Sequence, residues 1–177
     1  MTKTTLRVIG GAWRNRRLAI VPGSRPTSER AREALFDILG EWIAGKRVLE
    51  LYAGSGAVAI EALSRGAAAA TAVEREPNAL EENRRRLEAP VEVVRGTSVG
   101  AVRQFARERR QFDLVFVDPP YDDSEPVVVG ELASLLGGEG RVIWQSDVGG
   151  APRPAEGLRV SRTERYGRNV FTFLEKA

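Results

Sequence analysis

Val48-Leu49-Glu50-Leu51-Tyr52-Ala53-Gly54-Ser55-Gly56 is the stretch that decides the fold. The strand Lys46 to Leu51 runs into a glycine turn at Gly54-Ser55-Gly56. A helix follows from Ala57 to Arg65, carrying Val58, Ile60, Ala62 and Leu63. Only small residues let a ligand approach the backbone this closely. The helix start adds exposed N–H groups and the positive end of its dipole. A lone G-x-G is often no more than a tight turn; Glu50 before it and Glu74 after it give it weight.

Outward from that turn, strands and helices alternate. Ala70 to Glu74 is a second strand, and Pro77 opens a helix to about Glu88. Val91 to Val94 is a third strand, followed by a helix from about Gly100 to Arg109, and Phe112 to Val117 is a fourth strand. A helix is expected over roughly 125–136, against the β-branched run Val127-Val128-Val129. Arg141-Val142-Ile143-Trp144 is a fifth strand, and 158–165 and 169–175 flank Tyr166-Gly167 as an antiparallel hairpin. The alternation predicts an α/β fold with a mainly parallel sheet covered on both faces. On the amino-terminal side, 3–21 reads as a short hairpin broken at Gly10-Gly11. A helix begins near Ser28 with Ala31, Ala34, Leu35, Ile38, Leu39 and Trp42 on one face, and Thr27 or Ser28 is its N-cap. The chain divides into a basic hairpin, 1–26, and an α/β domain, 27–177.

The fourth strand ends in Asp118-Pro119-Pro120-Tyr121. Two prolines cannot continue a ladder, since each lacks an N–H donor and has a fixed φ. The chain therefore breaks at the carboxyl end of that strand, which is where ligands bind in open α/β sheets. A carboxylate, a backbone carbonyl and a flat ring are the parts needed to grip an amino group on a planar base. Taken alone, the motif is also explained as a rigid turn capped by an aspartate; Gly54, Gly56 and Glu74 favour the site. Glu74 ends the second strand about 20 residues past the glycine turn, where an acid accepts hydrogen bonds from ribose hydroxyls and repels a 2′-phosphate. Glu50 stands where a carboxylate meets a cationic amino-acid tail and repels a pyrophosphate. Charge thus favours S-adenosylmethionine over a nicotinamide dinucleotide.

The 177 residues suit one domain with a sizeable core. A 42% hydrophobic and 29% charged composition is that of a folded chain. With no cysteine and no histidine, disulfides, thiolate metal sites and the commonest general base are excluded. No apolar stretch reaches the roughly 20 residues of a membrane span, and no signal-peptide pattern opens the chain, so a cytoplasmic location and no membrane partner are expected. Residues 1–36 hold eight basic side chains against two acidic ones, so they carry +6 while the rest carries −3. That asymmetry points to an anionic partner, most naturally nucleic acid. Guanidinium groups pair with phosphate and stack on bases, so Arg7, Arg14, Arg16, Arg17, Arg25 and Arg30 are the candidate RNA contacts. Trp13, Trp42 and Trp144 are expected to pack, and Arg84-Arg85-Arg86 to form a solvated helix face.

Together these pieces resemble a known family. Glu50 to Gly56, Glu61-Ala62-Leu63-Ser64-Arg65-Gly66-Ala67 and Asp118-Pro119-Pro120-Tyr121 are similar to the bacterial guanine-N2 methyltransferases of small-subunit (16S) ribosomal RNA, the RsmD family. Arg7-Val8-Ile9-Gly10-Gly11, the run Arg25-Pro26-Thr27 to Phe36, and Tyr166-Gly167 match as well, so the resemblance spans almost the whole chain. It implies a seven-stranded Rossmann-like methyltransferase that uses S-adenosylmethionine and needs no metal. It implies Glu50, Tyr52, Ala53, Gly54, Ser55 and Gly56 around the methionine part, Glu74 on the ribose, and Asp118 to Tyr121 on one guanine of ribosomal RNA or an assembling small subunit. A monomer is expected. Three positions depart from the family pattern. Arg95-Gly96-Thr97-Ser98 lacks the usual acid after the third strand, which leaves a hydroxyl, of Thr97 or Ser98, or a backbone carbonyl to meet the adenine, with Thr97 the candidate. Asn15 replaces a glycine, and Arg168-Asn169 replaces an acid and a threonine.

The mechanism expected from these residues is positional. An exocyclic amine is a poor nucleophile because its lone pair is delocalised. Asp118 and the Pro119 carbonyl would each accept an N–H and favour a pyramidal nitrogen, while Tyr121 stacks on the base. Other amines remain open to a D-P-P-Y motif: adenine N6 in DNA or RNA, or a protein glutamine. A nicotinamide oxidoreductase and a non-catalytic RNA-binding module are the readings from other classes.

Overall fold

The computed structural model describes residues 6–24, 26–120, 123, 126–153 and 155–177. Two strands, β1 (Leu6–Arg7) and β2 (Arg17–Leu18), pair antiparallel around a 3-10 turn at Gly11–Trp13. Helix α1 (Glu29–Leu39) follows, started by Ser28, whose hydroxyl accepts the Ala31 N–H, and stopped at Gly40 with φ 51°. Trp42, expected on that helix, lies in the 3-10 turn Gly40–Ile43 instead.

Then comes the alternation: β3 (Arg47–Leu51), α2 (Ala57–Ser64), β4 (Ala69–Glu74), α3 (Asn78–Leu87), β5 (Val91–Arg95), α4 (Ser98–Arg107) and β6 (Phe112–Val117). Last are β7 (Leu136–Asp147), β8 (Leu158–Tyr166) and β9 (Asn169–Lys176). The seven-stranded sheet has the order β5-β4-β3-β6-β7-β9-β8, parallel through β7 and antiparallel across β9 and β8. One apolar cluster joins α1, α2, α3 and the β1–β2 hairpin on one face; the other packs α4 and residues 127–135 on the opposite face.

Two expectations are corrected. The segment 125–136 forms no α-helix in its described part; it is a 3-10 turn over Val129–Leu135, consistent with three β-branched residues entering it. And β7 begins at Leu136, ahead of Arg141, because Gly137, Gly138 and Gly140 let the strand shift register between the Phe112–Leu136 and Leu114–Arg141 pairs.

The chain builds outward from β3 to β5, then returns through α4 to β6 on the other side of β3. That reversal opens a crevice at the carboxyl ends of β3 and β6. Register places its contents: Leu51 pairs with Val73 on one side and Val117 on the other, so Glu74 and Asp118 both stand beside Tyr52.

The basic hairpin is sewn to α2. Glu61, fully buried, accepts the N–H groups of Ile9 and Gly10 at 2.9 and 2.8 Å, and its carboxylate is flanked by Arg32 and Arg65. The Ser64 hydroxyl accepts the Trp13 N–H at 2.9 Å and donates to the Gly10 carbonyl at 2.6 Å. A Cβ on Gly11, whose φ is +76°, would lie 1.8 Å from the Ser64 carbonyl oxygen, so only glycine allows this approach.

Candidate active site

A cleft of about 770 Å³ lies at the switch point, a size suited to a small-molecule ligand. The loop after β3 lines it with Tyr52, Ala53, Gly54 and Ser55, above the strand's own Glu50. Glu74 enters from β4, and Asp118, Pro119 and Pro120 enter from β6. All of these residues stand out in the sequence, and the fold gathers them into one cavity. Tyr121 and Arg25 lie outside the described residues.

Glu50 is buried and spans the start of α2, accepting the Ala59 N–H at 2.8 Å and the Val58 N–H at 3.4 Å. Burial pushes its carboxyl up to about 8; the two backbone bonds pull the other way, and nearby Asp118 adds to the rise. This helix start is therefore already occupied by a carboxylate. A pyrophosphate would find those N–H groups already taken, where a dinucleotide fold offers them free. A cation brought beside Glu50 would be welcomed.

Glu74 is fixed by the glycine turn it faces. One oxygen accepts the Gly54 N–H at 2.7 Å and the other the Glu76 N–H at 3.2 Å, which leaves lone pairs for a pair of hydroxyls. The turn itself is tight: Tyr52, Gly54 and Gly56 have φ of 55°, 56° and 74°. Gly56 does not line the cleft. A Cβ there would lie 2.2 Å from Leu80 Cδ1, so this glycine serves the packing of α2 against α3.

Thr97 caps α4, its hydroxyl accepting the Gly100 N–H at 3.0 Å, and does not line the cleft; Gly96 and Ser98 do. The Ser98 hydroxyl accepts the Tyr52 N–H at 3.0 Å and holds the strained start of the glycine turn. At the other end of its side chain, the Tyr52 hydroxyl accepts the Val127 N–H at 3.0 Å. Burial pushes its phenol up to about 12, with the bond to Asp123 adding to the rise. Arg75 reaches the same Asp123 at 3.5 Å, so Asp123 is fastened to the tips of β3 and β4.

Asp118 is held lightly. Among the described residues its hydrogen-bonding neighbour is the Thr27 hydroxyl, 3.5 Å from Oδ2, and that hydroxyl sits closer to Gln145 Oε1 at 2.9 Å. A hydroxyl has one proton to give, so the carboxylate keeps most of its accepting capacity. Burial pushes Asp118 up to about 6, the Thr27 bond lowers it, and the charge of Asp147 raises it.

The arginines expected on RNA lie apart from the cleft floor. Arg14, Arg17 and Arg30 are exposed, and their side chains make no hydrogen bond or ion pair among the described residues. Arg7 pairs with Glu29 at 3.0 Å, and Arg16 reaches the Arg86 carbonyl at 3.4 Å. Sequence reasoning missed the link between this region and the cleft. Buried Asn83 on α3 accepts the Ala19 N–H at 2.6 Å and donates to the Ala19 and Ser55 carbonyls, both at 3.0 Å. The signal was present: Asn83 continues the buried stripe of Ala79, Leu80 and Leu87, where an unpaired amide would be costly.

Comparison with known proteins completes the site. The family model described as Conserved hypothetical protein 95 matches residues 6–175. The chain belongs to this family. Its relatives include Ribosomal RNA small subunit methyltransferase D of Escherichia coli strain K12, 40% identical over 121 residues. That match covers 66% of this chain and 60% of the relative, so the chain spans less than two thirds of that protein's length. Putative rRNA methyltransferase YlbH of Bacillus subtilis is 32% identical over 182 residues, 97% of this chain and 99% of the relative. The solved structure of putative methyltransferase yhhF from Escherichia coli superposes with a TM-score of 0.82 at 30% identity, covering 97% of this chain and 98% of the other. The family resemblance and the Rossmann-like methyltransferase architecture expected from sequence are both borne out.

Proposed function

We propose that this chain transfers a methyl group from S-adenosylmethionine to the exocyclic N2 of a guanine in small-subunit ribosomal RNA. The observation that carries the proposal is the pairing, within one cleft, of two carboxylates already engaged by backbone N–H groups and a third that is nearly free: Glu50 and Glu74 against Asp118. The names of the relatives, Ribosomal RNA small subunit methyltransferase D and Putative rRNA methyltransferase YlbH, support the substrate class.

The residues present fit the cofactor. Glu50 would face the ammonium of its amino-acid tail, and Glu74 its ribose hydroxyls. Gly96 and Ser98 line the cleft and would meet the adenine, the Ser98 oxygen accepting from Tyr52 while its proton can be donated. When bound, the cofactor supplies an electrophilic methyl group on a sulfonium. On the other side, Asp118 accepts one N2–H of the guanine and the Pro119 carbonyl the second, which localises the nitrogen lone pair and aims it. Proton loss can follow transfer, so Asp118 has to orient the amine and need not be a strong base. The cationic hairpin would hold the phosphates and bring the base to the cleft.

The test is direct. Incubation with labelled methyl donor and undermodified small-subunit ribosomal RNA or particles, followed by digestion to nucleosides, is expected to yield labelled N2-methylguanosine. Label in N6-methyladenosine, or in protein glutamine with none in RNA, would reassign the amine. Tight binding of a nicotinamide dinucleotide in place of the methyl donor would overturn the class of reaction.

A further inference from the structure

A second exposed cationic patch lies at the edge of the sheet away from β5, at the β8–β9 turn. Strand β8 is the sheet's edge, and most of it faces solvent. Charge on an edge strand guards against unwanted pairing. Arg159 beside Glu175 and Arg162 beside Glu164 fit that account. The tip differs. The Arg168 side chain is 83% exposed, opposed only by Asp147 at 3.6 Å among the described residues, an exposed pair of the kind that contributes little. Arg165 gives its Nε–H to the Gly167 carbonyl at 3.0 Å, and its terminal nitrogens have no partner among the described residues.

Position makes this tip more than a guarded edge. Asp147 pairs with Asn169 in the β7–β9 register, at the carboxyl end of β7, the same end of the sheet as Asp118. From there a polar chain leads inward. Gln145 Nε2 donates to Asn169 at 3.2 Å, Gln145 Oε1 meets the Thr27 hydroxyl at 2.9 Å, and that hydroxyl is 3.5 Å from Asp118. The charge of Asp147, the partner of Arg168, is itself felt at Asp118. The tip thus stands at the same end of the sheet as the cleft, toward the edge away from β5, and is joined to Asp118 by that polar chain. The turn is anchored by Tyr166, whose ring packs on Phe171 with centroids 6.1 Å apart.

We propose that the β8–β9 tip is an RNA-contact surface, with Arg165 and Arg168 gripping phosphates beside the guanine presented to Asp118. The inference rests on the function proposed above. An exposed guanidinium pair at the same end of the sheet as an amine-binding acid, with one weakly paired carboxylate opposing it among the described residues, suits a polyanion that carries the base. With the amino-terminal hairpin it gives the RNA two footholds and leaves the target nucleotide between them.

The experiment compares the parent chain with a double variant, Arg165→Gln with Arg168→Gln, and a charge-keeping one, Arg165→Lys with Arg168→Lys. Affinity for undermodified small-subunit ribosomal RNA is measured by fluorescence anisotropy over a series of salt concentrations, alongside methyl transfer and calorimetric titration with S-adenosylmethionine. The glutamine variant is expected to bind RNA about tenfold or more weakly. Its log–log salt slope should be shallower by about 1.4–1.8, the loss of two phosphate contacts. Cofactor affinity should stay within about twofold of the parent's, a difference of about 0.4 kcal/mol, and the lysine variant should recover most of the slope. An unchanged slope, or a cofactor affinity that falls in step with RNA affinity, overturns the proposal. A parent chain that binds RNA without methylating it refutes the activity instead, and the slopes still decide the role of the tip. A parent chain that does not bind RNA refutes both.

Discussion

The two halves of the cleft are built on opposite plans. In the half formed by β3, β4 and the glycine turn, carboxylates are already engaged: Glu50 by two N–H groups of α2, Glu74 by Gly54 and Glu76. In the half formed by β6, Asp118 has one shared hydroxyl at the limit of hydrogen-bonding distance. The first half is a mould whose shape is set before a ligand arrives. The second holds unspent accepting capacity and acquires its geometry when an amine enters. A site that must bind one cofactor in every cycle and activate a weak nucleophile at a single moment is served by that division, because only interactions completed near the transition state accelerate chemistry.

Emptying the second half should do the most damage. Asp118→Ala is expected to lower kcat on the order of 10²–10³-fold, the scale for removing one organising polar group. S-adenosylmethionine affinity should stay within about twofold, a difference of about 0.4 kcal/mol. Calorimetry and single-turnover methyl transfer check both numbers; a parallel collapse of cofactor affinity would show that the halves are not separate. Next in size is Glu50→Gln. Loss of a charge-assisted bond to the cofactor, worth about 1.5–3 kcal/mol, is expected to weaken its binding roughly 10–100-fold. The same change should stabilise the empty protein at alkaline pH. Burial raises Glu50 from 4.5 to about 8, so the folded chain holds that proton more tightly than the unfolded one. Its favourable contribution is complete below the ordinary carboxylate range and is lost as pH rises through about 8. The amide of the glutamine variant does not titrate. Melting curves should therefore show the variant gaining on the parent between about pH 5 and about pH 9, and a parent curve as flat as the variant's would contradict it.

The same two halves differ in how legible they are in the sequence. Strand and helix periods, the double proline and the E-x-x-x-G-x-G turn are sufficient to place Glu50, Glu74 and Asp118, because each sits at a strand end where the local pattern changes. What stays hidden depends on contacts between distant segments. The pattern after the third strand offers the Thr97 or Ser98 hydroxyl without choosing, and the choice of Thr97 fails: it caps α4, and the first helical residue, Ser98, lines the cleft. A shift of one residue at a helix start rotates a side chain by about 100°, which no pattern resolves. The basic hairpin is visible as charge, but not its fastening to α2 by Glu61 and Ser64, because a buried glutamate in Glu61-Ala62-Leu63-Ser64 resembles a surface one until its partners are known. The segment 125–136 departs from expectation for a local reason: its helical hydrophobic spacing competes with the β-branched Val127 to Val129, and a 3-10 turn results.

Titration tells the halves apart a second time. In the proposed function Glu50 faces the cofactor's ammonium as a carboxylate, whereas in the empty cleft it is pushed up to about 8. Binding near neutral pH should therefore expel up to one proton. Affinity should improve as pH rises from about 6 toward about 8, by at most about tenfold per unit, and level off as the cofactor's own α-amino group begins to titrate near about 8. Calorimetry at about pH 7 in buffers of different ionisation enthalpy reads the proton count. The Glu50→Gln variant should release none, and release by that variant would assign the proton to another group.

The mildest change probes the one support that Asp118 has among the described residues. Thr27→Val removes the hydroxyl that lowers the Asp118 pKa and leaves burial and the Asp147 charge, which both raise it. Asp118 must be ionised to accept an amine proton, so kcat/KM should rise with pH through about 6 in the parent and through a higher value in the variant. A single weak hydrogen bond is worth about 0.5–1.5 kcal/mol, which limits the loss at neutral pH to roughly tenfold. Thr27→Ser keeps the hydroxyl and should restore the parent profile. If valine lowers the rate without moving the acid limb, Thr27 is only a packing residue at the cleft wall. If the limb moves and serine restores it, the division between halves is one of degree: even the acid left open for substrate is tuned by a partner, and that partner is itself tied through Gln145 to Asn169 on β9.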